Sequence, residues 1–248
     1  MELDDEVRTC VSLPGVPAGT IGTVKEIGRL FVVVEFGDGR QGYYAPQQLE
    51  PAVTPYAADE CAPLGFGGEH VAYGSHLCML PSSQDDLIET MARYTAAGLA
   101  AGEKCLCVLP EEWMLRMQEV MGEVGADLND AVASRQLAVR TSAEVYLGPS
   151  EFTAEKQLAR ARKVLASLLP GGQGRARVFG FAGVELFDVA AWWEYELRAT
   201  PMLKASGVVG LCGYQPGGWR TDQWARAEAV HPYVVKGGEV LPGGAAAG

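Results

Sequence analysis

The sequence has few basic residues and no long apolar run. Its 248 residues include 20 Lys and Arg against 31 Asp and Glu, which gives a formal net charge of −11. Because surplus positive charge attracts proteins to nucleic acids and anionic membranes, we expect this chain to bind neither directly. A membrane-spanning helix needs about 20 consecutive apolar residues, and the sequence contains no such stretch. The opening MELDDE is acidic where a signal peptide is basic, so we expect a cytoplasmic protein.

The motifs of common enzymes and of zinc knuckles are also absent. None of the six cysteines forms a C-x-x-C pair, the spacing that many structural zinc sites use. Three histidines offer few candidates for a general base. The sequence has neither a His-Glu-x-x-His motif nor a Ser/His/Asp series, and we therefore expect a non-catalytic protein.

The first 52 residues carry the signals of short β-strands and tight turns. Apolar runs follow one another at close spacing, and Gly-Asp-Gly at residues 37–39 is a hairpin signal between two of them. We predict a small all-β barrel over residues 1–52, with a pattern that resembles the Tudor/KOW class of small barrels. Tyr43 and Tyr44 either line an aromatic pocket there or pack at the end of the barrel.

The rest of the chain is predicted to be a linker, an α/β domain and a short tail. Residues 53–73 are rich in Pro, Gly and Ala without periodicity, which is typical of a linker. Residues 74–241 form the predicted domain, with a loop at 141–152, and residues 242–248 are predicted to be disordered. The predicted strands are 76–80, 105–109, 137–140, 175–181, 207–214 and 233–235. The first predicted helix begins at residue 84 or 85 and ends before the Gly-Glu-Lys break at 102–104. The other predicted helices cover 113–124, 153–169, 186–199 and 222–229.

This alternation of strands and helices predicts a mainly parallel sheet with helices on both faces. In such sheets ligands bind beyond the carboxyl ends of the strands. We therefore expect the functional residues in the loops that leave the strands.

The turn PSSQDD, residues 81–86, lies where P-loop proteins of the RecA and KaiC type place a phosphate loop. A working Walker motif needs glycines for a backbone cradle and a Lys that meets the phosphates, and both are missing. Asp85 and Asp86 stand there instead and would repel phosphate. With Ser82 or Ser83 as the helix cap, the turn is predicted to be structural, and ATP hydrolysis is not expected.

Two histidines and two cysteines form a first candidate site. His76 and Cys78 share one face of their predicted strand because side chains alternate. Cys212 lies near the end of a later strand, and His231 stands before the last one. Such a set can bind a soft or borderline metal, line a pocket, or consist of buried thiols and hydrogen-bonded histidines.

Aromatic and acidic residues form a second candidate site. Trp192 shares a helix face with Tyr195 and Glu196 at spacings of three and four residues, and Tyr214 follows in the strand at 207–214. An apolar pocket with one carboxylate and a few hydroxyls suits a small organic ligand. Packing of the aromatic rings between helix and sheet is the alternative.

Residues 75–240 resemble the MEDS domain, the methanogen/methylotroph DcmR sensory domain, which is a derived RecA/KaiC-like module. The stretches that carry the resemblance are, in order, SHLCML, AAGLAAGEKCLCVLPEE, YLGPSEFTAEKQL, RVFGF, WWEYE, GLCGYQ and HPYVVKGGEV. The resemblance implies a ligand-sensing role in signalling or transcription control, with small hydrocarbon derivatives as ligands.

The leading hypothesis is a non-catalytic sensor that binds a small organic molecule and signals through a signalling or transcription partner protein. Its predicted ligand-binding residues are His76, Cys78, Trp192, Tyr195, Glu196, Cys212, Tyr214 and His231. One alternative is a regulatory protein that binds a metal or cofactor through His76, Cys78, Cys212 and His231. Another is a decayed module that keeps a nucleotide as a structural ligand. The sequence does not identify a cofactor.

Overall fold

The computed structural model describes residues 6–9, 16, 21–28, 31–45, 48–51, 61–146, 152–169, 174–182 and 189–244. It divides the chain into two compact units, Met1–Tyr56 and Ala57–Gly248. Each unit contains its own sheet. Within the described residues, no helix combines the length and the apolar character that crossing a membrane requires.

The first unit contains five short antiparallel strands. They are β1 Glu6–Thr9, β2 Ile21–Ile27, β3 Val32–Phe36, β4 Gln41–Tyr44 and β5 Leu49–Pro51. The sheet order is β4-β3-β2-β1-β5, so β4 and β5 are its edges among the described residues, and closure into a barrel stays a prediction. Tyr44 is buried in the core of this unit, whereas Tyr43 is 64% exposed. The two rings alternate across β4 and do not line one pocket.

The second unit contains a mainly parallel sheet of seven strands. Its strands are β8 His76–Met79, β9 Lys104–Val108, β10 Leu137–Arg140, β11 Ala176–Ala182, β12 Val209–Tyr214, β13 Tyr233–Lys236 and β14 Glu239–Pro242. The order is β10-β9-β11-β12-β8-β13-β14. Every neighbouring pair is parallel except β13 and β14. The predicted α/β fold is confirmed.

Helices cover both faces of this sheet. They are α1 Gln84–Ala100, α2 Met114–Glu123, α3 Leu128–Ala133, α4 Ser142–Tyr146, α5 Ala154–Leu168, α6 Val189–Ser206 and α7 Thr221–Val230. The core on one face joins apolar residues of α1, α2 and α3 to the sheet. The core on the other face involves α4, α5, α6 and α7. Because neighbouring side chains of a strand point to opposite faces, each strand contributes to both cores.

Four parts of the second unit differ from the prediction. The predicted linker contains a hairpin, β6 Cys61–Pro63 and β7 His70–Ala72, because its few apolar side chains are buried in the main core. The predicted loop contains α4, whose Tyr146 is buried. Helix α6 continues past Pro201 to Ser206. Strand β14 forms through backbone pairing with β13, and no side-chain pattern in the sequence predicts it. Residues 245–248 of the predicted tail lie outside the described residues.

A buried ion pair joins the start of β9 to β11. Glu103 and Arg177 are 0% and 1% exposed. The guanidinium donates to both carboxylate oxygens, with Nε 2.6 Å from Oε2 and Nη2 2.8 Å from Oε1. It also donates to the carbonyl oxygens of Pro63 and Tyr94 at 2.9 and 2.6 Å, and the hydroxyl of Tyr73 donates to Glu103 at 2.7 Å. The charged groups therefore tie the hairpin and α1 to the amino-terminal ends of two interior strands.

We expect Glu103→Ala to lower the free energy of unfolding by about 3–5 kcal/mol, because it leaves the Arg177 charge buried without its carboxylate. The exposed Glu111 is a matched control, and Glu111→Ala should change stability by less than about 0.5 kcal/mol. All five tryptophans lie between Trp113 and Trp224, so urea unfolding followed by tryptophan fluorescence reports on the second unit. Equal effects of the two substitutions would contradict a structural role of the pair.

Candidate functional site

Four side chains that can bind or transfer a proton meet inside the second unit. His76, Glu196, Cys212 and His231 each place one ligand atom within 4.8 Å of the other three. Oε2 of Glu196 is 3.3 Å from Nε2 of His76, 3.5 Å from Nε2 of His231 and 3.6 Å from Sγ of Cys212. Nε2 of His76 is 3.3 Å from Sγ of Cys212. Glu196 thus stands at the centre of the group.

The fold brings these residues together through strand register. In the parallel pair β8 and β12, His76 is opposite Gly210, and Cys78 is opposite Cys212. The side chains of His76 and Cys212 therefore stand diagonally on the same face of the sheet. Glu196 comes from α6, which covers that face, and His231 is the C-cap residue of α7.

Hydrogen bonds from outside the group orient its side chains. Nδ1 of His76 lies 2.9 Å from Oγ1 of Thr200, and Nδ1 of His231 donates to the carbonyl oxygen of Ala227 at 2.8 Å. The hydroxyl of Tyr214 donates to Oε1 of Glu196 at 3.2 Å. Nε2 of His231 is buried and forms no close hydrogen bond to any described residue, and Oε2 of Glu196 lies 3.5 Å from it. Both imidazole rings thus direct Nε2 toward the Glu196 carboxylate.

Burial and mutual charge shift the pKa values of the group. Burial alone would raise the pKa of Glu196, but the adjacent imidazole rings of His231 and His76 lower it to about 2. Burial and the neighbouring His231 lower the pKa of His76 to about 4. Burial, together with the charge of Glu196, raises the pKa of the Cys212 thiol to about 12. Burial alone would lower the pKa of His231, but the neighbouring Cys78, Cys212 and Glu196 raise it well above its usual value. Without another cation, the group therefore holds an ionised Glu196 beside a protonated His231, a neutral His76 and a protonated thiol.

A small cavity lies beside this group, between the sheet and helices α5 and α6. Its volume is about 60 Å³. His76, Glu196 and Cys212 form part of its wall, and most other lining residues are apolar, among them Val108, Val178, Ala161, Val164, Ala199 and Met202. This space lies against the face of the sheet, whereas the sequence predicts functional residues in the loops beyond the carboxyl ends of the strands, and that expectation stays a prediction.

Two strand glycines line the cavity. A Cβ atom at Gly180 would come within 2.6 Å of the hydroxyl oxygen of Tyr146, and one at Gly210 would come within 2.6 Å of Cδ1 of Leu203. Glycine therefore allows the helices to approach the sheet closely at these two positions.

The comparison with known families covers this same part of the chain. Residues 75–232 match the family described as MEDS, the MEthanogen/methylotroph, DcmR Sensory domain. The chain belongs to the MEDS family. A sensory domain gives the protein a sensory or regulatory role and is consistent with a non-catalytic protein. No curated protein matches the sequence.

The MEDS domain places the eight predicted ligand-binding residues in one region, but not all at the cavity. His76, Tyr195, Glu196 and Cys212 line it. Tyr214 and His231 contact Glu196 from behind the wall. The Trp192 ring packs 5.3 Å from that of Tyr195, between centroids. Sγ of Cys78 is directed to the carbonyl oxygen of Ala227, 3.8 Å away. The cluster of possible metal ligands therefore contains Glu196 in place of Cys78, which the sequence analysis had included.

Sequence reasoning missed several residues of the site. Thr200, which orients His76, follows Glu196 by four residues on α6, a spacing that places both on one helix face. Gln157 of α5 and the two strand glycines also line the cavity. An isolated glycine in a strand signals close approach of another element, so Gly180 and Gly210 were detectable in the sequence, whereas Gln157 carried no signal.

The turn at residues 81–86 of the MEDS domain is occupied by helix-capping bonds. Oγ of Ser83 accepts from the N–H of Asp86 at 3.1 Å. Oδ2 of Asp86 accepts from the N–H and the hydroxyl of Ser82 at 2.7 and 2.9 Å. The carboxylate of Asp86 thus already accepts the backbone N–H of Ser82.

We expect Tyr214→Phe to lower the free energy of unfolding by about 1.5 kcal/mol, because the buried Glu196 carboxylate loses a charged hydrogen bond. Tyr233 is half-buried in the neighbouring strand, and Tyr233→Phe is the matched control, with an expected change below about 0.5 kcal/mol. Urea unfolding of the full chain measures both. An unchanged midpoint for Tyr214→Phe would show that the bond contributes nothing.

We expect Ser83→Ala to cost about 1 kcal/mol of stability through loss of the N-cap of α1. Asp85 is exposed in the first turn, and Asp85→Ala should cost about 1 kcal/mol or less, through the helix dipole alone. Thermal unfolding of the two variants compares these costs. A larger loss for Asp85→Ala than for Ser83→Ala would contradict the capping role of the serine.

Proposed function

We propose that this MEDS protein is a non-catalytic sensor that binds a small organic molecule in the cavity between the sheet and helices α5 and α6. The observation that carries the proposal is a mainly apolar cavity with His76, Glu196 and Cys212 on one wall. Ligand sites typically combine apolar surface with a few polar groups that orient the ligand.

The size of the cavity restricts the ligand. A volume of about 60 Å³ exceeds the roughly 10–15 Å³ that one water needs and is well below the roughly 150 Å³ cavity that binds benzene. The ligand is therefore a molecule of a few non-hydrogen atoms. Small hydrocarbon derivatives such as one- to three-carbon alcohols, aldehydes and halides meet this limit.

The arrangement of α6 supports a route for the signal. Tyr195, Glu196, Ala199, Met202 and Leu203 line the cavity from this one helix. A ligand that fills the space contacts the helix over two turns, so its binding energy favours one position of α6 against the sheet. In the proposal, a partner protein recognises that position and carries the output.

The turn at 81–86 supports a degenerate P-loop that no longer binds nucleotide. The Asp86 carboxylate accepts a backbone N–H at the start of α1, where a working loop directs such groups to phosphate. Its negative charge repels phosphate at that position. We therefore propose the cavity, and not this turn, as the ligand site.

We expect Ala161→Phe to weaken binding of small organic molecules at least tenfold, because the larger side chain of α5 fills the cavity. Ala159 is on the exposed side of the same helix, and Ala159→Phe should bind like the wild type. Calorimetric titration with one- to three-carbon alcohols, aldehydes and halides measures the affinities, with ATP as a further ligand. Binding of ATP together with no binding of any small organic compound would contradict the proposal.

A further inference from the structure

We propose that the MEDS domain binds one Zn²⁺ ion through Nε2 of His76, Oε2 of Glu196, Sγ of Cys212 and Nε2 of His231. The inference goes beyond the proposed function, since it concerns the protein without an organic ligand. The four ligand atoms come from β8, α6, β12 and the end of α7.

The spacing of the four atoms fits tetrahedral coordination. Zinc bonds of about 2.0–2.3 Å at the tetrahedral angle place neighbouring ligand atoms about 3.3–3.6 Å apart. The distances from Oε2 of Glu196 to the two imidazole nitrogens are 3.3 and 3.5 Å, and the distance to Sγ of Cys212 is 3.6 Å. All four atoms lie within 4.8 Å of one another, so small side-chain shifts complete the tetrahedron.

The outer contacts are those of metal-binding side chains. A zinc-bound histidine typically uses its other ring nitrogen to bond a carbonyl or hydroxyl group, and a zinc-bound carboxylate accepts a further hydrogen bond. Ala227 supplies the carbonyl oxygen for His231, and Thr200 supplies the hydroxyl for His76. The hydroxyl of Tyr214 supplies the hydrogen bond to Glu196.

A buried nitrogen without a close hydrogen bond also points to the ion. His231 is 0% exposed, and its Nε2 makes no close hydrogen bond to any residue that the structure describes. Without a metal, Nε2 carries a proton and faces the Glu196 carboxylate at 3.5 Å. Because Nδ1 donates to Ala227, loss of that proton leaves the lone pair of the ring on Nε2, where a cation can bind. Buried polar atoms normally have a partner, and a cation between Nε2 and the Glu196 carboxylate provides one.

The kinds of ligand atom favour zinc. Imidazole nitrogen and thiolate sulfur suit Zn²⁺, whereas Mg²⁺ and Ca²⁺ prefer oxygen ligands. A bound zinc ion removes the thiol proton of a coordinating cysteine. The thiolate of Cys212 and the carboxylate of Glu196 then balance the two positive charges of the ion, which a buried site requires.

Metal titration of the purified 248-residue chain tests the site. After treatment with a chelator, the protein should bind one equivalent of Zn²⁺ and be stabilised against thermal unfolding, since the ion binds the folded state. Co²⁺ in place of zinc should give visible d–d bands and a thiolate-to-cobalt charge-transfer band in the near ultraviolet. Cys212→Ser should remove the charge-transfer band.

Two matched pairs of variants identify the ligands. Glu196→Gln should weaken Zn²⁺ binding at least 100-fold, whereas Cys78→Ala should keep it, which separates this set from the one with Cys78. Thr200→Val should weaken binding about 10–100-fold through lost orientation of His76. Cys107→Ala, a buried thiol on the other face of the sheet, is the control and should bind like the wild type.

Absence of a stoichiometric Zn²⁺ or Co²⁺ complex in the folded wild-type protein would overturn the inference. Loss of Zn²⁺ binding in Cys78→Ala together with retained binding in Glu196→Gln would show that Cys78, and not Glu196, is the ligand. That result would also overturn the inference. These titrations use the metal alone. A negative metal titration therefore contradicts only the zinc site, and a negative titration with organic molecules contradicts only the proposed ligand cavity.

Discussion

The buried carboxylate of Glu196 is the constraint on which the centre of this domain depends. It is 0% exposed, and an ionised carboxylate is stable in such a place only when other groups compensate its charge and donate hydrogen bonds to it. The groups that surround it come from β8, β12 and the end of α7. One side chain of α6 thereby fixes the positions of three segments that are far apart in the chain.

The two buried charged clusters of the domain differ in how completely their groups are paired. The guanidinium of Arg177 and the carboxylate of Glu103 meet in two parallel hydrogen bonds, and neighbouring carbonyl groups accept the remaining donor. That cluster is complete and supports the fold. Around Glu196, Nε2 of His231 is 3.5 Å from the carboxylate and forms no closer hydrogen bond to the described residues, and the cluster borders a cavity. Incomplete pairing beside open space is typical of a binding site.

The position of the cavity follows from how the sheet is covered. Many parallel sheets bind ligands at the carboxyl ends of their strands, and in this domain the corresponding turn before α1 is closed by Ser82, Ser83 and Asp86. The space lies instead under α5 and α6, beside strand positions 180 and 210, where glycine leaves room. The sheet thus forms one wall of the cavity, and helices α5 and α6 form the opposite wall.

The sequence by itself determined the alternation of strands and helices, the family and most of the residues near the site. Those features follow from local periodicity and from short motifs such as SHLCML and WWEYE. Only the tertiary structure decided that Glu196 and not Cys78 completes the group with His76, Cys212 and His231, and that the cavity lies on the face of the sheet. The physical reason is that strand register and helix packing set distances between residues 76, 196, 212 and 231, and no local pattern encodes distances across such separations.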